Sequence, residues 1–162
     1  MILGMSLGAF TTLHVIISLM AIAAGLIVLV AMAGGRHMGA MTAVFLATTI
    51  LTSITGFMFP PKPRGPPHIF GVISLVALAV SLVALYGRKL AGIWRPAYIV
   101  TAVMSLYLNC VVLVVQSFQK IPFLNTFGPT GSEPPFLAAQ GVTLLIIGYL
   151  GFLAIRRYRP IL

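Results

Sequence analysis

Two histidines are the side chains of this chain best suited to hold a cofactor. His14 lies just inside the first long apolar stretch, and His68 follows a pair of prolines at the start of the third. Two neutral imidazoles on different helices can bind the iron of a b-type haem from both axial sides, and imidazoles also hydrogen-bond quinones. An ionisable side chain at such a depth is a functional candidate. The alternative for each is an interfacial or hydrogen-bonded histidine without a ligand.

A row of polar side chains recurs along the fourth apolar stretch. Its members are Tyr98, Thr101, Ser105, Asn109 and Gln116. Spacings of three, four and seven residues put them on one face of a helix. In a membrane, such a face turns towards the neighbouring helices. Two interpretations stay open: helix packing through hydroxyl-bearing residues, or a polar cavity, which the large amides of Asn109 and Gln116 favour.

Other apolar stretches carry matching polar residues. A row of hydroxyls in the second stretch contains Thr48, Thr52 and Thr55, and Gln140 lies near the start of the fifth. We expect His14 and His68 to be ligands of a haem iron or hydrogen-bond partners of a quinone. The amides of Asn109, Gln116 and Gln140 are expected to bind the polar part of the same ligand.

Five apolar stretches must position these residues. They span about 8–33, 40–60, 68–87, 95–118 and 135–155, and the chain is 60% hydrophobic, with Glu133 its one acidic residue. About 20 apolar residues suffice for a helix to cross the hydrocarbon core of a bilayer. Non-helical backbone there would leave peptide groups unpaired. The sequence therefore predicts an all-α integral membrane bundle of five transmembrane helices, forming a single domain over residues 1–162.

The basic residues predict the orientation of the bundle. Seven lie in the first gap, the third gap and the tail: Arg36, Arg88, Lys89, Arg95, Arg156, Arg157 and Arg159. Three lie in the second and fourth gaps: Lys62, Arg64 and Lys120. The positive-inside rule then puts the N-terminus outside and the C-terminus in the cytoplasm. The histidines and amides consequently gather in the outer leaflet, beneath two proline-containing outer loops. The first, residues 60–67, is expected to be a stiff strap, and the second spans about residues 120–134.

The net charge of +9 points to lipid rather than nucleic acid. Basic residues that flank membrane spans anchor them at the interface, and Arg156-Arg157-Tyr158-Arg159 favours anionic lipid headgroups on the cytoplasmic face. Expected partners are therefore the lipid bilayer, other membrane proteins or a second copy of the chain, with no nucleic acid.

The first two stretches carry a family resemblance. Thr12-Leu13-His14, Gly34-Gly35-Arg36-His37-Met38-Gly39 and Thr52-Ser53-Ile54-Thr55-Gly56-Phe57 resemble the first two helices of uncharacterised bacterial multi-pass membrane proteins related to b-type cytochrome membrane reductases. The resemblance implies a bacterial inner (cytoplasmic) membrane location and haem b. It covers only residues 12–57, and with three histidines in the chain at most one haem could have two histidine ligands.

These observations predict a binding protein rather than a self-sufficient enzyme. Its ligand would be haem b or a quinone, held in an outer-leaflet polar pocket and serving electron transfer. No carboxylate pair is available for acid–base catalysis. Two alternatives stay open: a structural or assembly subunit of a larger membrane complex, and a small permease or channel.

Overall fold

The computed structural model describes residues 1–60 and 66–162. Its helices, in chain order, are α1 (Leu7–Ala33), α2 (Gly39–Phe57), α3 (Pro66–Leu82), α4 (Trp94–Lys120), the short α5 (Pro122–Asn125) and α6 (Pro134–Arg157). A π-helical turn, Val83–Gly87, continues α3. Within the described residues, five helices are long and apolar enough to cross a membrane. The predicted all-α bundle with five candidate spans is therefore confirmed.

When the π-helical turn Val83–Gly87 is counted with α3, the helix ends agree with the predicted spans to within three residues. The largest difference is at α2, which ends at Phe57 rather than at residue 60. Phe59 precedes Pro60, and a residue before proline is sterically driven out of the helical conformation. Most of the predicted strap, residues 61–65, lies outside the described part of the chain.

The bundle is built from two helical hairpins and one peripheral helix. α1 packs along α2 and α3 packs along α4, while α2 contacts α3 and α4 contacts α1. α6 lies against α1 and α4. Its apolar stretch is only 11% buried, compared with 33–44% in the other four helices. The interior of the molecule is therefore shared by α1 to α4, and α6 covers one side.

A close contact at Gly25 sets the heights of three helices. A Cβ atom on Gly25 would lie 2.7 Å from Leu106 Cδ1 on α4 and 2.8 Å from Phe45 Cε2 on α2. Only glycine lets the three helices approach this closely. Residues that lie the same number of positions from Gly25, Phe45 and Leu106, counted towards the same end of the bundle, are therefore at about equal depth.

The basic end of the bundle is the end that carries the α1–α2 turn, the α3–α4 turn and the tail. Arg95 there donates from Nη1 to the carbonyl oxygens of Ile155 (2.8 Å) and Tyr158 (2.9 Å). These carbonyls lie where α6 ends and its backbone acceptors lack helical partners. His37 Nδ1 lies 2.7 Å from the Tyr158 hydroxyl. Burial raises the pKa of Tyr158 to about 12, which keeps that hydroxyl neutral.

The opposite end of the bundle, which is rich in proline, is called the proline end. At this end, Glu133 organises the loop that leads into α6. Its carboxylate accepts from the Thr130 hydroxyl (2.6 Å), the Thr130 amide (3.1 Å) and the Ser132 amide (3.1 Å). These bonds, that of the Thr130 side chain first, lower the pKa of Glu133. α6 begins at Pro134, but the carboxylate binds the preceding loop instead of capping the helix.

Candidate functional site

The polar face of α4 turns into the bundle. Tyr98 and Ser105 are both 0% exposed, whereas Asn109 and Gln116 are half-buried. On α2 the polar side chains are buried as well, among them Thr49, Thr52, Ser53 and Thr55. The predicted inward orientation of the polar row is therefore confirmed for its buried members. A polar column runs through the interior from the basic end towards the proline end.

Most hydroxyls of this column are satisfied within their own helices. Thr49 donates to Phe45 O at 2.7 Å, and Ser105 donates to Thr101 O at 3.0 Å. Such bonds to the carbonyl four residues earlier are the usual solution for a helical serine or threonine in a membrane. These hydroxyls therefore have no proton left to donate to a ligand.

A few buried polar atoms of the described residues lack any hydrogen-bond partner. They are Ser74 Oγ, Tyr98 Oη, Asn109 Nδ2 and Gln140 Oε1. Leaving a buried polar group unpaired costs about 1–3 kcal/mol, so each atom marks a place where a ligand or water could bind. Three of these residues lie in the half of the bundle towards the proline end.

Ser74 on α3 and Asn109 on α4 lie at one depth in the bundle. The hydroxyls of Ser81 and Thr101, one on each helix, are 2.7 Å apart and fix the relative height of the two helices. From that contact, Ser74 lies seven residues and Asn109 eight residues towards the proline end, or about 10 and 12 Å along the helix axes. Two unpartnered groups thus stand at matching depth. Ser74, only 3% exposed, was not among the predicted site residues. Its spacing of seven residues from Ser81 puts both serines on one helical face and is the signal that could have indicated it.

His14 makes a well-defined contact at the proline end of the α1–α2 pair. Its Nδ1 lies 2.7 Å from the Thr55 hydroxyl oxygen, which itself donates to Leu51 O at 2.7 Å. Because that hydroxyl proton is already used, His14 must donate from Nδ1, and its Nε2 carries the lone pair. The ring also lies edge-on to Phe59, with centroids 5.1 Å apart.

Gln116 lies at the depth of His14. His14 is eleven residues from Gly25 and Gln116 is ten residues from Leu106, about 16.5 Å and 15 Å along the helix axes. Thr55, ten residues from Phe45, is in the same layer. His14 and Gln116 thus share a layer nearer the proline end than the Ser74–Asn109 layer.

The two histidines do not face each other. His68 is half-buried, and its ring centroid is 5.7 Å from that of Phe57. His14 contacts Thr55, and two positions on a helix are separated by about 200° around its axis. The imidazoles therefore contact opposite sides of α2, an arrangement unlike the two axial ligands of one haem.

Gln140 lies apart from Asn109. Its Nε2 donates to Val111 O of α4 at 3.3 Å, in the seam between α4 and α6. Val111 and Asn109 are two positions apart and so point to different sides of α4. Of the five predicted site residues, the structure aligns His14 with Gln116 in one layer and places Asn109 in the next, while His68 and Gln140 lie on other faces.

Searches against protein-family models, curated proteins and solved structures find no match to this chain.

Proposed function

We propose that this protein binds a quinone in the half of the membrane at its proline end, the predicted outer leaflet, and that the ligand serves electron transfer. The observation that carries the proposal is the layer of Ser74 and Asn109, where two buried groups lack hydrogen-bond partners. Both can donate a hydrogen bond. A quinone carbonyl oxygen has two lone pairs and accepts two such bonds, one from each helix.

The composition around this layer also suits a quinone. Binding sites for small molecules are mostly apolar, with a few polar groups that orient the ligand. Here most hydroxyls of the column bond within their own helices, and the residues next to Ser74 and Asn109 in the sequence are mainly aliphatic. The isoprenoid tail of a quinone would lie in the surrounding lipid.

Haem b is the less favoured ligand. His14 and His68 contact opposite sides of α2, so a haem could take only one of them as an axial ligand. His14 retains an unprotonated Nε2 for that purpose. An absorption spectrum of the purified protein tests the haem version directly, through the Soret band of the cofactor itself.

Quinone binding is tested with the full chain in nanodiscs and a radiolabelled short-chain ubiquinone. We expect Asn109→Leu and Ser74→Ala each to weaken binding about tenfold, the effect of about 1.4 kcal/mol from a lost hydrogen bond. The matched controls are Gln119→Leu, an exposed amide on the same helix, and Ser117→Ala, whose hydroxyl is satisfied by Leu113 O. Equal affinity in all four variants, or no saturable binding to the unmodified chain, would overturn the proposal.

A second candidate function, a subunit of a larger membrane complex, is favoured by the exposed face of α6. Added Cβ atoms at Gly141 and Gly148 would meet nothing within 4 Å. Seven residues apart, the two glycines lie on one face, and small residues let membrane helices approach closely. Gly148→Leu should then abolish co-purification of a stoichiometric partner, while Ile146→Ala, exposed on a different face of α6, should not. Purification of the unmodified chain alone from mild detergent would contradict this candidate.

A further inference from the structure

We infer that the basic end of the bundle contains a discrete site for one phosphate group, supplied by a phospholipid headgroup or by free phosphate. A cavity of about 290 Å³ opens there between the α1–α2 and α3–α4 turns. It is lined by His37, Gly39, Leu85, Tyr86, Lys89 and Leu162. This volume is near the lower limit for ligand sites, about 300 Å³, and suits a headgroup better than a whole lipid.

The cavity lining supplies donors of the kind that bind phosphate. Lys89 provides an ammonium group and Tyr86 a hydroxyl, both on the polypeptide that follows α3. His37 adds an imidazole from the other side. Lysine is a common point-charge partner for phosphate. Residues that carry a cation and neutral donors thus line one cavity from two different turns.

The geometry of His37 leaves one ring nitrogen for the ligand. Nδ1 is taken by the Tyr158 hydroxyl at 2.7 Å, which stays neutral because burial raises the pKa of Tyr158 to about 12. Nε2 lies 3.4 Å from the position that a Cβ on Gly39 would occupy. The free nitrogen is therefore directly beside the first residue of α2, within the lining of the cavity.

No acidic side chain of this chain neutralises the cavity. Glu133 is the only acidic residue in the sequence, and it is bound to Thr130 and Ser132 at the proline end. The start of α2 adds to the positive potential, because Met38 makes no side-chain cap and the amides of a first helical turn attract anions. An anionic group is therefore complementary to the basic side chain and the amides of the lining.

The backbone at Lys89 is unusual for a lysine. Its φ is +47°, and that of Leu90 is +58°, both in the left-handed region that disfavours residues with a Cβ. The π-helical turn Val83–Gly87 immediately precedes them. Lys89 lines the cavity in this conformation, where a glycine would relieve the backbone strain but provide no charge.

The test uses the full chain in micelles of a phosphate-free maltoside detergent, with ¹⁵N-labelled histidine. Two probes separate the sources of the phosphate: titration with inorganic phosphate, and titration with phosphatidylglycerol added to the micelles. Saturable movement of the His37 resonance with either probe supports the site and identifies the source. No movement with either probe overturns the inference without the need for a variant.

Matched variants distinguish a discrete site from a diffuse basic surface. Lys89→Gln should weaken binding about fivefold, since a basic residue at a membrane surface contributes about 1 kcal/mol to attraction of anionic lipid. Lys89→Arg should retain most of it. Arg159→Gln removes one charge from the same end, but Arg159 is exposed and outside the cavity lining, so its effect should be small. Equal losses of affinity in Lys89→Gln and Arg159→Gln would show that the anion binds to a diffuse basic surface and would overturn the inference.

Discussion

The hydroxyls of Ser81 and Thr101 lie 2.7 Å apart and join α3 to α4 in the bundle interior. Thr101 already donates to Ala97 O at 2.8 Å, so Ser81 is the donor between the helices. This contact holds Ser74 and Asn109 at matching depth, and the proposed quinone layer therefore depends on a serine outside it.

Removal of that donor should have a modest cost in stability. We expect Ser81→Ala to lower the free energy of unfolding by about 0.6 kcal/mol, and by no more than about 1.7 kcal/mol, the range for hydrogen bonds between membrane helices. Unfolding in mixed micelles of increasing denaturing detergent measures this. Ser117→Ala is the control, since that hydroxyl bonds only within α4. An equal effect of both substitutions would show that the α3–α4 contact contributes nothing of its own.

Gly25 should tolerate no side chain. A Cβ there would lie 2.7 Å from Leu106 and 2.8 Å from Phe45, and overpacking of this kind costs about 1–3 kcal/mol. Gly25→Ala is therefore expected to reduce stability by that amount in the same unfolding assay. Gly148→Ala, in open space on α6, should change it little.

A compensating substitution tests the cause of that loss. Leu106→Val shortens the side chain nearest the added methyl group and should restore part of the stability of Gly25→Ala. If the double variant is less stable than the sum of the two single effects predicts, the contact at Gly25 is not the source of the loss.

The tautomer of His14 follows from its bond to Thr55. Because Thr55 donates to Leu51 O and accepts from His14, the ¹⁵N spectrum should show the Nδ1-protonated neutral form at His14. Thr55→Val removes the acceptor while keeping the side-chain shape, so the spectrum should shift towards the Nε2-protonated form. An Nε2-protonated His14 in the unmodified chain would contradict the assigned hydrogen bond.

Glu133 should titrate below the ordinary range of a glutamate, because bonds from Thr130 and Ser132 favour its charged form. A lowered pKa means that the loop contacts persist above it and are lost as the pH falls through it. We expect the amide proton resonances of Thr130 and Ser132 to move together with one acidic midpoint. In Glu133→Gln the pH dependence should vanish. Separate midpoints for the two amides would show that they do not share this carboxylate.

The buried face of α4 is a feature of the three-dimensional structure that the spacing of residues along the chain could predict. Helical spacing is a property of the chain itself, so the inward face with Tyr98 and Ser105 could be predicted from the order of residues. The end of α2 was placed too late, because its apolar character continues past the point where Pro60 ends the helix. Orientation in the membrane and the identity of a ligand remain predictions.

The basic end illustrates what pattern could not reveal. Arg95 contacts carbonyl groups sixty residues away, and His37 contacts Tyr158. These pairings depend on how separate helices dock, and no local periodicity encodes them. His37 was recognised as a part of the first turn, but neither its partner nor the cavity beside it could be foreseen.

Length and hydropathy by themselves determined five membrane-spanning helices, because satisfying the backbone in hydrocarbon requires only a long apolar segment. Tertiary structure alone decided which polar groups meet. The approach at Gly25 and the Ser81–Thr101 contact set the heights of the helices, and the rotation of α2 separates His14 from His68. Height and rotation arise from packing between segments distant in the chain, so they became visible only once the helices were assembled.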